Sequence, residues 1–276
     1  MTEAEPLAGI ERLSLNQITL NNWTLKQCAE ACMRRGIRWI APWRNRVAEI
    51  GIDESARILR GCGLRVSSLC RGGFFPAATA AERQARIDDN RRAIDEAAEV
   101  EAECLVLVCG PAPDRDIQSA RRMVADGIAA VLEHARACGV RLGIEPLHPM
   151  FAADRSVITT LAEATDLALQ FSATEVGVVV DTYHVWWDPC LYSELRRASE
   201  RIAGYHVSDW ASPLPDLLRG RSMMGDGVIE FRRIRKAVED AGWQGPIEVE
   251  IMNQAIWDRP PESVLDDLIR CYLDHV

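Results

Sequence analysis

No CxxC pair occurs in this chain of 276 residues, although it carries nine cysteines. An odd count without paired spacing reads as reduced, mostly buried thiols in a cytoplasmic protein. No apolar run reaches the roughly 18 residues that a bilayer span needs, so no membrane partner is expected. Met1 to Leu7 is short and acidic and does not read as a signal peptide. A basic excess is also lacking. The chain has 32 Lys and Arg against 41 Asp and Glu, a net charge of −9, which argues against a nucleic-acid partner. There is no Ser/Gly-rich linker and no internal repeat. The expectation is therefore one domain over 1–276, with a short N-terminal extension over 1–10.

What is present is alternation. Short apolar runs at Leu13–Asn16, Arg38–Ala41, Arg65–Cys70, Leu105–Cys109, Arg141–Glu145, Val176–Asp181, Ile202–Val207 and Ile247–Ile251 are separated by helical patterns. Thr24 caps Leu25–Arg35, and Asp53 is expected to cap a helix ending near Gly61. Further helices are expected over Ala81–Ala102, Ser119–Cys138, Thr160–Phe171, Leu191–Ala198, Phe231–Ala241 and Pro261–Tyr272. Eight strand–helix units in a chain of this length predict an α/β fold, a (β/α)8 TIM barrel. A doubly wound sheet would need a glycine-rich first turn, and Asn16–Leu20 has none.

Active groups in a barrel come from the C-terminal ends of its strands. Glu145, Asp181, His206 and Glu250 fall at four consecutive strand ends. A single acid there is commonly a helix cap or a solvated group. Four such groups converge on one point, and three carboxylates meeting there repel one another unless a cation neutralises them. They are therefore candidate ligands of one divalent metal ion. This oxygen-rich set favours Mn(II), with Mg(II), Co(II) or Zn(II) also suitable.

These residues lie in motifs that resemble the xylose-isomerase-like TIM-barrel superfamily of sugar isomerases and epimerases. The motifs are Ile144-Glu145-Pro146, Asp181-x-x-His184, His206 with Ser208-Asp209, Gly225-Asp226-Gly227 and Val249-Glu250-Ile251. The resemblance spans essentially the whole chain. It implies Glu145 and Glu250 as the acid/base pair and His184 as a substrate or outer contact. One departure concerns the arginine that ketose 3-epimerases place soon after the strand-seven histidine. Here the nearest are Arg219 and Arg221, beyond a Pro-rich loop. An apurinic endonuclease of the same fold needs extra histidines after strands two to four, and those strand ends have none.

The resemblance implies a metal-dependent keto-sugar isomerase or epimerase working through an enediolate. A sugar lyase or dehydratase is the alternative, inosose dehydratase-like or the barrel subunit of a 3-oxo-C-glycoside lyase, which requires a small partner chain. A third possibility is an inert barrel acting as a binding subunit. The expected ligand is a small sugar or glycoside, and a homo-oligomer is possible. His148 is a candidate general acid or substrate contact, its alternative being a loop histidine bonded to backbone. Trp186, with Trp43, Trp187, Trp210 and Trp257, is a candidate wall of a glycoside pocket or of a dimer contact. Asp209 and Arg221 complete the candidate substrate contacts, against the plainer reading of Arg219 and Arg221 as solvated loop residues. Strand alternation places Glu248 one layer below Glu250, inside the barrel. There it should be buried, bind no metal and pair with an arginine, Arg12 before Arg141.

Overall fold

The structure, a computed structural model, describes residues 9–276, so most of the expected N-terminal extension lies outside the described residues. The first strand, β1 (Leu13–Asn16), leads to α1 (Leu25–Arg35), closed at its N-terminus by a Thr24–Gln27 capping box and at its C-terminus by left-handed Gly36. Then come β2 (Trp39–Ala41), α2 (Arg44–Ile50), α3 (Ile52–Gly61), β3 (Arg65–Val66) and β4 (Leu69–Gly73). α4 (Ala80–Glu99), β5 (Leu105–Val108), α5 (Ile117–Cys138), β6 (Leu142–Glu145), α6 (Leu161–Ala168) and β7 (Val176–Asp181) follow. The remainder is α7 (Thr182–Val185), α8 (Leu191–Ala198), β8 (Ile202–Val207), β9 (Asp209–Trp210), β10 (Arg221–Ser222), α9 (Phe231–Asp240), β11 (Ile247–Val249), α10 (Gln254–Trp257) and α11 (Pro261–His275).

Nine strands form one parallel sheet in the order β3-β2-β1-β11-β8-β7-β6-β5-β4. β3 and β4 are successive halves of one barrel strand, so the two ends of this order meet and the sheet closes as a (β/α)8 barrel. The expected strand Arg65–Cys70 is thus broken at Ser67-Ser68. Both hydroxyls are buried and donate to Glu248 from inside the barrel, Ser67 at 2.8 Å and Ser68 at 2.9 Å. Two adjacent residues cannot both point inward from a regular strand, which is why it is interrupted.

One expected helix cap changes, and three helices, α2, α7 and α10, are additional. Gly51 caps α3, not Asp53, which lies in its first turn with Glu54. The helix α2 was not foreseen. Its sequence RNRVAEI is polar, and only Val47 is buried.

Along β6, β7 and β8 the inward residues alternate with those that meet the helices. Cys104, Val106, Val179 and Ala203 form a small buried cluster of their own, the floor of the barrel. A Cβ on Gly143 would lie 2.7 Å from Val179 Cγ2, so only a glycine fits beneath Glu145. Nine free cysteines are present, six of them buried. No helix among the described residues is long and apolar enough to cross a membrane.

Candidate metal centre

Register brings the four strand-end groups together. His206 on β8 is paired with Asp181 on β7 and with Glu248 on β11, and Glu145 ends β6. One ligand atom from each of Glu145, Asp181, His206 and Glu250 lies within 4.8 Å of all the others. All four side chains are buried. His206 Nδ1 lies 3.5 Å from Glu145 Oε1 and 3.9 Å from Glu250 Oε2. Neither ring nitrogen of His206 has a hydrogen-bond partner.

A buried polar atom without a partner is unusual in a folded protein. Nδ1, turned toward Glu145 and Glu250, has the geometry of a ligand atom shared with those carboxylates. The donor set fits a hard or borderline divalent cation, with Glu145, Asp181, His206 and Glu250 able to hold it.

Glu248 is buried one layer lower and accepts from Asn16 Nδ2 at 2.7 Å as well as from both serines. Its Oε2 also lies 3.5 Å from His206 Nε2. Carboxylates in that position orient metal-bound imidazoles. The expected arginine partner is absent. Arg12 precedes β1 and reaches outward to Glu239, and Arg141 reaches the carbonyls of Ile202 and Glu200. One amide and two hydroxyls satisfy the carboxylate instead.

Arg221 enters the cluster from an unexpected direction. β9 and β10 pair as a short antiparallel ribbon, Arg221 opposite Trp210. This folds the Pro-rich loop back and delivers the guanidinium to Asp181 at 2.8 Å and Glu250 Oε2 at 3.1 Å. A second nitrogen is 3.1 Å from His184 Nε2, and the group lies over the Tyr183 ring. Arg221 is therefore no solvated loop residue, being 3 % exposed.

These charges share the proton unevenly. Burial and the neighbouring Glu145 and Asp181 lift Glu250 to about 7, even against Arg221. Asp181 is also buried, but Arg221 and His206 outweigh that and hold it below the usual carboxylate range. Burial opposes a charge on His206, yet Glu248, Glu145 and Glu250 raise it to about 10. Burial drives His184 down to about 3, so its ring is neutral. Its Nδ1 faces the His148 N–H at 3.2 Å while Nε2 faces Arg221. A neutral imidazole accepts at one nitrogen only, so it satisfies one of these donors.

A cavity of about 220 Å³ opens over the cluster, with Glu145, Glu250, His184 and Arg221 in its wall. His148, Trp186 and Asp209 are not brought to it. His148 Nδ1 accepts from Met150 N–H, and its ring packs on Trp187 and Trp210. Trp186 packs against Trp210. Asp209 is buried, and its carboxylate accepts four backbone N–H groups, those of Trp210, Gly225, Gly227 and Ile229. It fastens the glycine loop and has no free face for a sugar.

Of the five tryptophans after strand ends, only Trp43 lines this cavity, its Nε1 held by Asn16 Oδ1 at 2.8 Å. Trp210 stacks with Trp186 and Tyr183, Trp187 packs edge-on against His148, and Trp257 Nε1 donates to the Ile18 carbonyl. Sequence reasoning gave no role to Arg71, Arg155 and Tyr183, which also line it. For Arg71 its position at the end of the third barrel strand was the available signal.

A family model described as xylose isomerase-like TIM barrel matches residues 29–275. Among solved structures, protein SMc04130 from Sinorhizobium meliloti 1021 is 48% identical, with a TM-score of 0.94 over 96% of this chain and 98% of that one. Among curated proteins, a 3-dehydroshikimate dehydratase from Pseudomonas aeruginosa is 26% identical over 176 residues, 61% of this chain but 26% of the relative. A D-psicose 3-epimerase from Enterocloster bolteae is 22% identical over 138 residues, 50% of this chain and 42% of the relative. The matches thus span only a quarter to two-fifths of those two proteins.

Proposed function

The chain belongs to the xylose isomerase-like TIM barrel family, and from that premise we propose that it is a divalent-metal-dependent enzyme that enolises a keto-sugar. The outcome we favour is isomerisation or epimerisation. The observation that carries this reading is the buried quartet of Glu145, Asp181, His206 and Glu250, with the unpartnered His206 Nδ1 aimed into it. These four residues would hold the ion, Mn(II) being favoured by the three oxygen donors to one nitrogen. When bound, the ion supplies Lewis-acid polarisation of the substrate carbonyl.

The remaining work falls to the protein. Glu145 and Glu250 both face the cavity. One takes the proton from the carbon beside the carbonyl and the other returns it. Arg221 neutralises Asp181 and restrains Glu250, and His184, kept uncharged, offers a neutral contact beside them. Leu147, Phe151 and Tyr183 in the wall keep bulk water from the carbanion.

The cavity lies below the roughly 300–1,000 Å³ of pockets for drug-sized ligands. It suits one sugar ring and disfavours a glycoside with a large aglycone. Dehydration is the second reading, favoured by the match to a dehydratase. It shares the first proton transfer and differs in expelling water afterwards. His148 is not placed to assist that step, so the same two glutamates would have to serve.

The test is solvent exchange. Mn(II)-loaded protein in deuterium oxide should introduce deuterium next to the carbonyl of a keto-sugar. Glu145→Gln and Glu250→Gln should each lower that rate by about 100-fold or more. A product lighter by one water would select dehydration. Wild-type exchange rates in both variants would remove the acid/base assignment.

A further inference from the structure

The wall of the cavity facing the carboxylate cluster is basic. Arg71 in β4 and Arg155 in the loop after Pro149–Phe151 both line it. Nearby arginines are answered by acids: Arg44 by Asp89 and Glu96, Arg121 by Glu163, and Arg221 by Asp181 and Glu250. Among the described residues, the guanidinium groups of Arg71 and Arg155 have neither an ion pair nor a hydrogen-bond partner. Arg71 is half-buried, lying over the Phe74 ring with 4.0 Å from its central carbon to the ring centre. Burial, with repulsion from Arg155 and Arg44, holds it below the ordinary arginine value.

Two cations left close together beside a half-closed cavity, with no protein anion between them, are unfavourable on their own. The charge balance of the whole site points the same way. With a divalent cation among Glu145, Asp181 and Glu250, and Glu248 beneath His206, four negative charges face two on the ion and one on each of three arginines. The site then carries a surplus of one positive charge, which the substrate is left to answer.

We propose that Arg71 and Arg155 form an anion subsite, so that the substrate is an acidic keto-sugar whose carboxylate or phosphate lies against them while its carbonyl faces Glu145 and Glu250. The orientation of the carbonyl rests on the enolising function proposed above; the anion subsite itself does not. Planar guanidinium groups match both oxyanions. The small volume favours the carboxylate, which adds fewer atoms to a sugar ring.

Three ketohexoses with different ends separate the possibilities: D-fructose, D-fructuronate and D-fructose 6-phosphate. Titration calorimetry on the Mn(II)-loaded protein reads binding without turnover. The expected result is that one anion binds about 10–100-fold more tightly than D-fructose, the scale of hydrogen bonds to charged groups. Which anion wins identifies carboxylate or phosphate. Arg71→Gln and Arg155→Gln should each reduce that advantage, and the double variant should erase it, with metal content and melting temperature checked alongside. Arg155 sits in a loop, so Arg155→Gln alone carries the test if Arg71→Gln does not fold. Equal binding of all three sugars, absence of binding by both anions, or an anion preference that survives in the variants would overturn the subsite. Deuterium exchange on the same sugars is read separately. Anion binding without exchange would sink the enolising function and leave the subsite standing; exchange confined to D-fructose would do the reverse.

Discussion

Removing one negative charge from the cluster should stabilise the protein when it is stripped of metal and weaken it when metal is present. Glu250→Gln is the cleanest case, because glutamine mimics the protonated acid and can still accept from Arg221. Burial first, then Glu145 and Asp181, lift Glu250 from an ordinary 4.5 to about 7. Its folded pKa lies above the unfolded one, so its contribution favours folding fully below about 4.5 and is lost as the pH rises through about 7. A rise of that size corresponds to about 3 kcal/mol, at roughly 1.36 kcal/mol per pKa unit. Chelator-treated Glu250→Gln should therefore exceed chelator-treated wild type by about 3 kcal/mol at pH 8, and the two should converge near pH 4. With saturating Mn(II) the order should reverse, since only the wild type offers four full ligands and binding stabilises by mass action. Urea unfolding at the two pH values, with and without metal, reads all four quantities. A metal-free wild type more stable than the variant at pH 8 would refute the view that the cluster is strained by its own charge.

Other substitutions and metal removal test the supports around this centre. Glu248→Ala should cost about 2–4 kcal/mol by stranding Asn16, Ser67 and Ser68, and should weaken metal affinity by about 10–100-fold through loss of the contact to His206. Denaturation and equilibrium dialysis measure the two effects; unchanged metal affinity would confine Glu248 to a structural role. Asp209→Asn should cost about 2–4 kcal/mol, because an amide N–H₂ would face backbone N–H donors; an unchanged urea midpoint would contradict the latch. Dialysis against EDTA should abolish exchange and lower the melting temperature, with Mn(II) or Co(II) restoring both. Full exchange in metal-free protein would end the proposed chemistry.

The parts of this molecule legible in the sequence are those governed by short-range pattern. Apart from Asp181 and His206, β7 and β8 are apolar throughout, so these two and Glu250 were marked by their places at the ends of apolar runs and by the family motifs, and alternation served only to set Glu248 one layer below Glu250. What could not be read depends on where the chain leaves regular structure. Arg12 has the right parity to join Ser14 and Asn16 inside the barrel, but it precedes the strand and turns out. Ser67 and Ser68 break a strand because a distant carboxylate draws both inward. Asp209 is written like a substrate-facing acid, yet its partners are backbone groups sixteen to twenty residues away, apart from its immediate neighbour Trp210. Arg221 looked distant from His206 along the chain, and the β9–β10 ribbon removes that distance.

That ribbon also shapes how the protein can change over evolutionary time. The ribbon fixes Arg221 at its base, while residues 211–220 form the bulge beyond it, with Leu218 from that bulge reaching the cavity rim. Doubling the length of such a loop adds only about 0.6 kcal/mol of closure entropy. Insertions there can redraw the entrance for a new substrate while the paired strands hold the guanidinium on Asp181. A lineage carrying this barrel can thus vary its rim with the buried cluster of Glu145, Asp181, His206 and Glu250 undisturbed.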